Sequence, residues 1–434
     1  MKCTTVFVLL VFCAWSPKGL AALDLGALFS AKEAWTGKSE TFAVSHAKEG
    51  FVFASEARDI VNCLKHDTCT WHGLAVWEAK VFFDKTAAEE GVSRVELSLF
   101  NRGDAGAPMD KAELERLLTA VTKKFDPSGR KDKPERTALR QGGFQYRRAF
   151  PRTDPSGELV WGEAKDGSVE YVRLTLAPKG AIGARKGGLA RRAGGTAAKK
   201  RVRDNVTKGA GGDVFIDNVP MVDQGQKGYC AAAVTERVLR YYGNTVDEHE
   251  IAQQAGTSSR GGTDSATLRR VVTDLGAHYA LGCQEIVTML GGNYEGELQK
   301  YNRAAKNAGK PELPLSRFVR GNTVYLSEMR EAMDKDVVYS MRQKDARLKK
   351  FLSGVRQQVN AGIPVFWGVT LGVFPERGVN PQSAGGHMRL IIGYNDKKKE
   401  ILYTDTWGEG HELQRMPEDW AFTITNDAFF LKPR

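Results

Sequence analysis

The sequence predicts an α+β protein made of two separate domains, and three observations lead there. Residues 23–178 alternate strand-like runs with one clear amphipathic helix, residues 179–211 turn abruptly to Gly, Ala, Lys and Arg, and residues 212–434 place helices first and strands afterwards. Helices followed by strands is the order of an α+β fold, whereas a parallel sheet with crossovers needs alternating units. At 434 residues, 41% hydrophobic and 26% charged, the chain exceeds one typical domain and can bury two cores.

The chain opens on Met1-Lys2, an apolar run from Thr4 to Trp15, and Gly19-Leu20-Ala21-Ala22. These are the basic, apolar and small-residue cleavage regions of a secretory signal, expected over residues 1–22 and too short to span a bilayer. No later stretch is long and apolar enough for a transmembrane helix. The expectation is therefore a secreted or periplasmic protein with no integral membrane segment.

Strand-like runs follow at Phe51-Val52-Phe53, Leu74 to Trp77, Val81 to Phe83, Val95 to Phe100 and Tyr171 to Leu176. Between them, Leu114, Leu117, Leu118, Val121 and Phe125 form the apolar stripe of a helix near Met109 to Phe125, with Asp110 placed to cap it. Cys63 and Cys69 bracket a short polar loop that a disulfide would close in an oxidising compartment. The alternative is a metal site using His66 or His72, but two cysteines with loosely spaced histidines make a poor zinc pattern, and no metal is expected. His46, His66 and His72 lack a nucleophile or carboxylate cluster and read as solvated.

Between Lys179 and Lys208, ten basic residues face one acid, so this stretch supplies nine of the formal +11 charges. Such a glycine-rich, apolar-poor segment cannot bury enough surface to order itself. It reads as a flexible, protease-sensitive hinge, with Arg191-Arg192 and Lys199-Lys200 as natural cutting points, or as a plain tether. It suits contact with anionic cell-surface polymers or membrane. Its lack of aromatics, together with export, argues against nucleic acid as a partner.

In the C-terminal domain the glycine-punctuated loop Gln224-Gly225-Gln226-Lys227-Gly228-Tyr229 delivers Cys230 to the start of a helix whose apolar positions are Val234, Val238, Leu239 and Tyr242, with Gly243 at its end. Unpaired N–H groups and the positive end of the helix dipole favour a thiolate there, so the Cys230 pKa is expected below the ~8.5 of a free cysteine. The alternative is a small buried hydrophobe. A short helix at Asp247 to Ala252, a glycine loop at Ser259 to Asp264 and a helix at Ser265 to Leu275 come next. A helix-rich excursion from Tyr294 to Lys350 leads into an amphipathic stretch at Phe351 to Asn360. Strands are expected at Pro364 to Val369, His387 to Tyr394 and Glu400 to Asp405. Cys283 reads as a residue of a buried strand, His249 as solvated on a charged helix, His278 as structural, and His411 as a residue that can line a cleft.

Three separated motifs in this domain resemble those of papain-like cysteine peptidases, within them the bacteriocin-processing-peptidase-like branch. They are Gln224-Gly225 six residues before Cys230, Gly386-His387 with Gly393-Tyr394 six residues further on, and Asp405-Thr406-Trp407-Gly408. The resemblance implies a papain-like domain, a helical subdomain plus an antiparallel sheet. It makes Cys230 the nucleophile, His387 the base and acid, Asp405 the residue that orients the imidazole, and Gln224 an oxyanion donor beside the Cys230 N–H. It further implies that Gly261, Gly262 and Trp407 form the substrate-binding part of the cleft, the glycines along the substrate backbone and Trp407 also shielding the His387–Asp405 pair from water.

The function expected is a cysteine peptidase acting on protein or peptide, with no cofactor. An acyltransferase or crosslinking enzyme with the same triad, and a non-catalytic peptide-binding module, remain open alternatives. The N-terminal domain is expected either to block the cleft until the hinge is cut, as in a zymogen, or to recruit substrate.

Overall fold

The computed structural model describes residues 22–85, 89–128, 133–139, 142–182, 202–244, 246–257, 263, 265–289, 293–376 and 385–434. The expected signal apart from Ala22, most of the basic linker, and Gly261-Gly262 lie outside the described residues.

The N-terminal domain is built on an antiparallel sheet of eight strands, in the order Val52–Phe53, Ile60–Cys63, Glu78–Asp84, Gly91–Asn101, Val169–Ala177, Ser156–Glu163, Phe144–Phe150 and Glu135–Ala138. One face carries Val81, Val95, Leu97, Leu159, Val172 and Leu174 into the core. The helix Lys111–Phe125 packs onto that core through Leu114 and Val121, and Asp110 caps it by accepting the Glu113 N–H at 2.8 Å. The opposite face of the sheet carries Glu78, Lys80, Glu96, Ser98 and Arg173, and these surround a small cavity with Asp247 and His249 of the second domain. Both faces are therefore covered, which makes the last third of Gly91–Asn101 continuously buried where a one-sided strand would alternate.

The C-terminal domain matches the expected helices-then-sheet order. Its sheet is antiparallel, in the order Val206–Lys208, Asp213–Ile216, Gly385–Asn395, Val365–Leu371, Thr425–Pro433 and Leu281–Thr288. Glu400–Thr404 pairs with Gly385–Asn395, and Gln414–Pro417 with Glu400–Thr404. The helices Cys230–Tyr241, Glu248–Ala255, Ser265–His278 and Arg347–Asn360 pack around it. The helical excursion buries a core of its own around Leu298, Tyr301, Phe318, Met329 and Val337. The domain begins earlier than residue 212, because Val206–Lys208, assigned to the linker by composition, pairs with Asp213–Ile216 as a hairpin. Among the described residues no helix is long and apolar enough to cross a membrane.

Candidate active site

Cys230 is the first residue of its helix, and the chain reaches it through a constrained loop. Gly225 adopts φ +64°, a left-handed conformation that a side chain would strain, and its N–H is accepted by Asp223 Oδ1 at 3.0 Å. The Tyr229 N–H then turns back onto the Lys227 carbonyl at 2.8 Å, so helical geometry starts one residue later. Ala231, Ala232 and Ala233 are all buried, and their small side chains let the helix start lie close to its neighbours. Cys230 itself is half-buried.

Across the cleft, His387 lies on the strand Gly385–Asn395 opposite Val369, and Asp405 follows directly on the adjoining strand Glu400–Thr404. The two meet: His387 Nε2 is 2.6 Å from Asp405 Oδ1. With Nε2 so engaged, the Cys230 sulfur is the other titratable group that acts on the ring. Burial favours a neutral imidazole, but the Asp405 carboxylate and the Cys230 sulfur reverse that and raise the His387 pKa to about 9. Burial likewise pushes the Cys230 thiol up, and the charge of the neighbouring His387 more than compensates, leaving it below its ordinary value. Asp405 is fully buried; burial works against its charge, yet His387 and Arg389 hold it well below the usual carboxylate range. The arrangement favours a thiolate–imidazolium pair.

Two arginines that sequence reasoning left unassigned build the acid's seat. Arg389 Nε donates to Asp405 Oδ2 at 2.6 Å while its Nη1 reaches Glu376 at 2.7 Å. Arg237, on the face of the Cys230 helix turned to the sheet, donates to the Asp405 carbonyl and to Thr404 Oγ1 at 2.7 Å. The Thr406 N–H adds a bond to Asp405 Oδ1 at 2.8 Å. A signal for Arg389 was present: two residues beyond His387 on a strand, it shares the histidine's face, and a charge inside Met388 to Ile392 must be paired. Trp407 stacks on His387 with ring centroids 4.5 Å apart and planes within 11°, covering the His387–Asp405 bond.

Gln224 is brought to the same place. Its Oε1 accepts from Thr406 Oγ1 and its Nε2 donates to the Lys227 carbonyl at 3.1 Å, which fixes the amide orientation and leaves one N–H to donate. Gly261 and Gly262 fall outside the described residues.

Several expectations are corrected. The bridge between Cys63 and Cys69 is not formed; both are free buried thiols. The Cys69 thiol, with Thr68 and the backbone of Lys65, favours the Cys63 thiolate and lowers its pKa to about 6 against the burial that raises it. His249 is buried rather than solvated, with Nε2 3.1 Å from Glu78 Oε2, because the charged face of its helix meets the N-terminal sheet. His66 is exposed as expected, its ring tilted against Trp77 with centroids 3.9 Å apart, whereas His46 is half-buried and packs on Phe42 at 4.6 Å. His411 sits edge-on to Trp407 at 5.6 Å, and Cys283 is only half-buried.

Among the described residues, Glu78, Glu248 and His249 could together hold a metal ion, with donor atoms within 4.8 Å of one another. Lys227 already pairs with Glu78, and Lys80 with Glu248 at 3.0 Å, so ammonium groups supply the positive charge there.

Residues 216–307 and 293–425 match the Peptidase_C39 like family, in line with the three motifs of the C-terminal half. Among solved structures, the chain is similar to xylellain, a cysteine protease from Xylella fastidiosa. The identity is 13% and the TM-score 0.29, over 54% of this chain and 89% of that one. No curated protein matches.

Proposed function

We propose that this protein is an exported cysteine peptidase that cleaves peptide bonds in proteins or peptides through Cys230, His387 and Asp405. The observation that carries the reading is the 2.6 Å bond from the His387 ring to Asp405, covered by Trp407, with the Cys230 thiol close enough for the His387 charge to lower its pKa. In the reaction, the Cys230 thiolate attacks the scissile carbonyl carbon and the carbonyl π electrons move to oxygen. The Cys230 N–H and the free N–H of Gln224 donate to that oxyanion; one such donor is worth about 3 kcal/mol. As the tetrahedral adduct collapses, the C–N bond breaks, and the His387 imidazolium gives its proton to the leaving amine. His387 then takes a proton from the water that attacks the thioester; the C–S bond breaks, the carboxylic acid product leaves, and the thiolate–imidazolium pair is restored. Asp405 stays ionised throughout, holding the ring orientation and balancing its charge.

The test is a cleavage profile of the full chain on a mixed peptide library. Wild type should release amine termini at defined bonds, and Cys230→Ala should drop to background, since removing a nucleophile costs on the order of 10⁶-fold. An unreactive Cys230 toward an epoxysuccinyl peptide would remove the reading. Predominant transfer to an added amine, seen by mass spectrometry, would redirect it to acyl transfer.

A further inference from the structure

The loop that ends at Cys230 is gripped from outside its own domain. Lys227 is 3% exposed, and its ammonium points into the N-terminal sheet, where it pairs with Glu78 directly and with Asp104 at 3.6 Å. The carbonyl of the same residue accepts the Gln224 Nε2–H at 3.1 Å and the Tyr229 N–H at 2.8 Å. One residue thus joins the carboxylates of the N-terminal domain to the amide placed to donate to the oxyanion. A second contact holds Tyr229, the residue before Cys230. Its ring lies so close over Gly103 that a Cβ there would come within 2.7 Å of Tyr229 Cζ. Leu64 packs beside Gly225, with Cδ1 3.6 Å from where a Cβ would sit.

We propose that the N-terminal domain is a working part of the catalytic unit, in which Glu78, acting through Lys227, is a positioning residue for Gln224 and the loop before Cys230. This rests on the peptidase reading above. The physical argument is the asymmetry of a buried pair: a desolvated ammonium stripped of its carboxylate is driven toward water. Gly225 gives the loop a pivot, so a departing Lys227 side chain takes its carbonyl away from Gln224. A domain that restrained the enzyme would predict the opposite, a gain in turnover when this grip is loosened.

The experiment uses the full chain and compares the unsubstituted protein with Glu78→Gln, Lys227→Met and Lys227→Arg. Three quantities are read: kcat and KM on a cleavable peptide, the second-order rate of Cys230 alkylation by iodoacetamide, and the melting temperature. Iodoacetamide alkylation develops no oxyanion at the Gln224 donor, so it reports the Cys230–His387 pair alone. Glu78→Gln and Lys227→Met should lower kcat roughly 10- to 100-fold, the scale of a lost oxyanion donor, with KM and the alkylation rate within about threefold. Lys227→Arg keeps the charge and should recover most of kcat. Unchanged or raised turnover in Glu78→Gln overturns the proposal, as does an alkylation rate that falls in step with kcat. If Glu78→Gln fails to fold, the same split read in the milder Glu78→Asp, with Lys227→Arg as the charge-keeping control, decides. The two readings fail differently: an unsubstituted chain whose Cys230 resists iodoacetamide sinks the catalytic reading, not the positioning one.

Discussion

Two buried histidines in this molecule face carboxylates, and their surroundings drive them in opposite directions. His387 lies 2.6 Å from Asp405 and has its pKa raised to about 9, whereas His249 lies 3.1 Å from Glu78 and has its pKa lowered. Burial opposes the charged ring in both. At His387 the Asp405 carboxylate and the Cys230 sulfur outweigh burial; at His249 burial outweighs the Asp247 and Glu248 carboxylates, whose pull the ammoniums of Lys227 and Lys80 partly offset. A histidine–carboxylate contact therefore does not define a base. The balance of burial against the whole shell of charges does.

The largest expected effect separates the two rings directly. His387→Gln should cost at least about 10³-fold in kcat/KM, within the range of general acid–base catalysis, while His249→Gln should stay within about threefold with both limbs of the pH–rate profile unmoved. Equal losses at both positions, measured on one peptide substrate, would break the comparison.

A smaller effect sharpens it. Turnover should rise through the lowered Cys230 pKa and fall as pH passes about 9, where the His387 imidazolium loses its proton. Asp405→Asn removes the charge that raises His387 and leaves the desolvation that lowers it. The alkaline limb should therefore move down toward 6.5, the ordinary histidine value, and the active window should narrow. A pH–kcat/KM profile reads this, and an unmoved alkaline limb would mean that another group titrates there.

The smallest effect concerns the cover. Trp407→Leu removes a stacked aromatic worth about 0.5–1.5 kcal/mol and opens the His387–Asp405 bond to water, so kcat should fall about three- to tenfold with a lower alkaline limb. Stopped assays across pH would register both changes, and a loss confined to KM would place Trp407 with substrate instead.

Much of the C-terminal fold was legible because local periodicity and burial agree there. The Cys230 helix and the Ser265–His278 helix carry apolar residues at helical spacing, and the strands at Val365–Leu371 and Gly385–Asn395 are apolar runs buried on both faces. In the N-terminal domain the helix Lys111–Phe125 was readable in the same way, but Phe144–Phe150 and Ser156–Glu163 were not. There Arg147 pairs across to Glu158, and Arg148 Nη1 reaches Thr122 at 3.0 Å, so charged side chains interrupt the alternation a strand would otherwise display. His249 was misread for a related reason. Its helix is charged along Asp247 to Glu250, the mark of a solvated face, but its partners Glu78, Lys80 and Arg173 come from the other domain.

The sequence by itself determined the α+β class, the cysteine at a helix start, and the order in which Gln224, Cys230, His387 and Asp405 occur along the chain. Each of these depends on residue type and on spacing over a few turns or strand positions. Only the tertiary structure decided which histidine gains a proton, that Arg237 and Arg389 seat Asp405, that Cys63 and Cys69 stay unbonded, and that Lys227 is tied to Glu78. Those outcomes depend on burial and on charges brought together from far apart in the chain, and desolvation and Coulomb forces act on distance in space rather than in sequence.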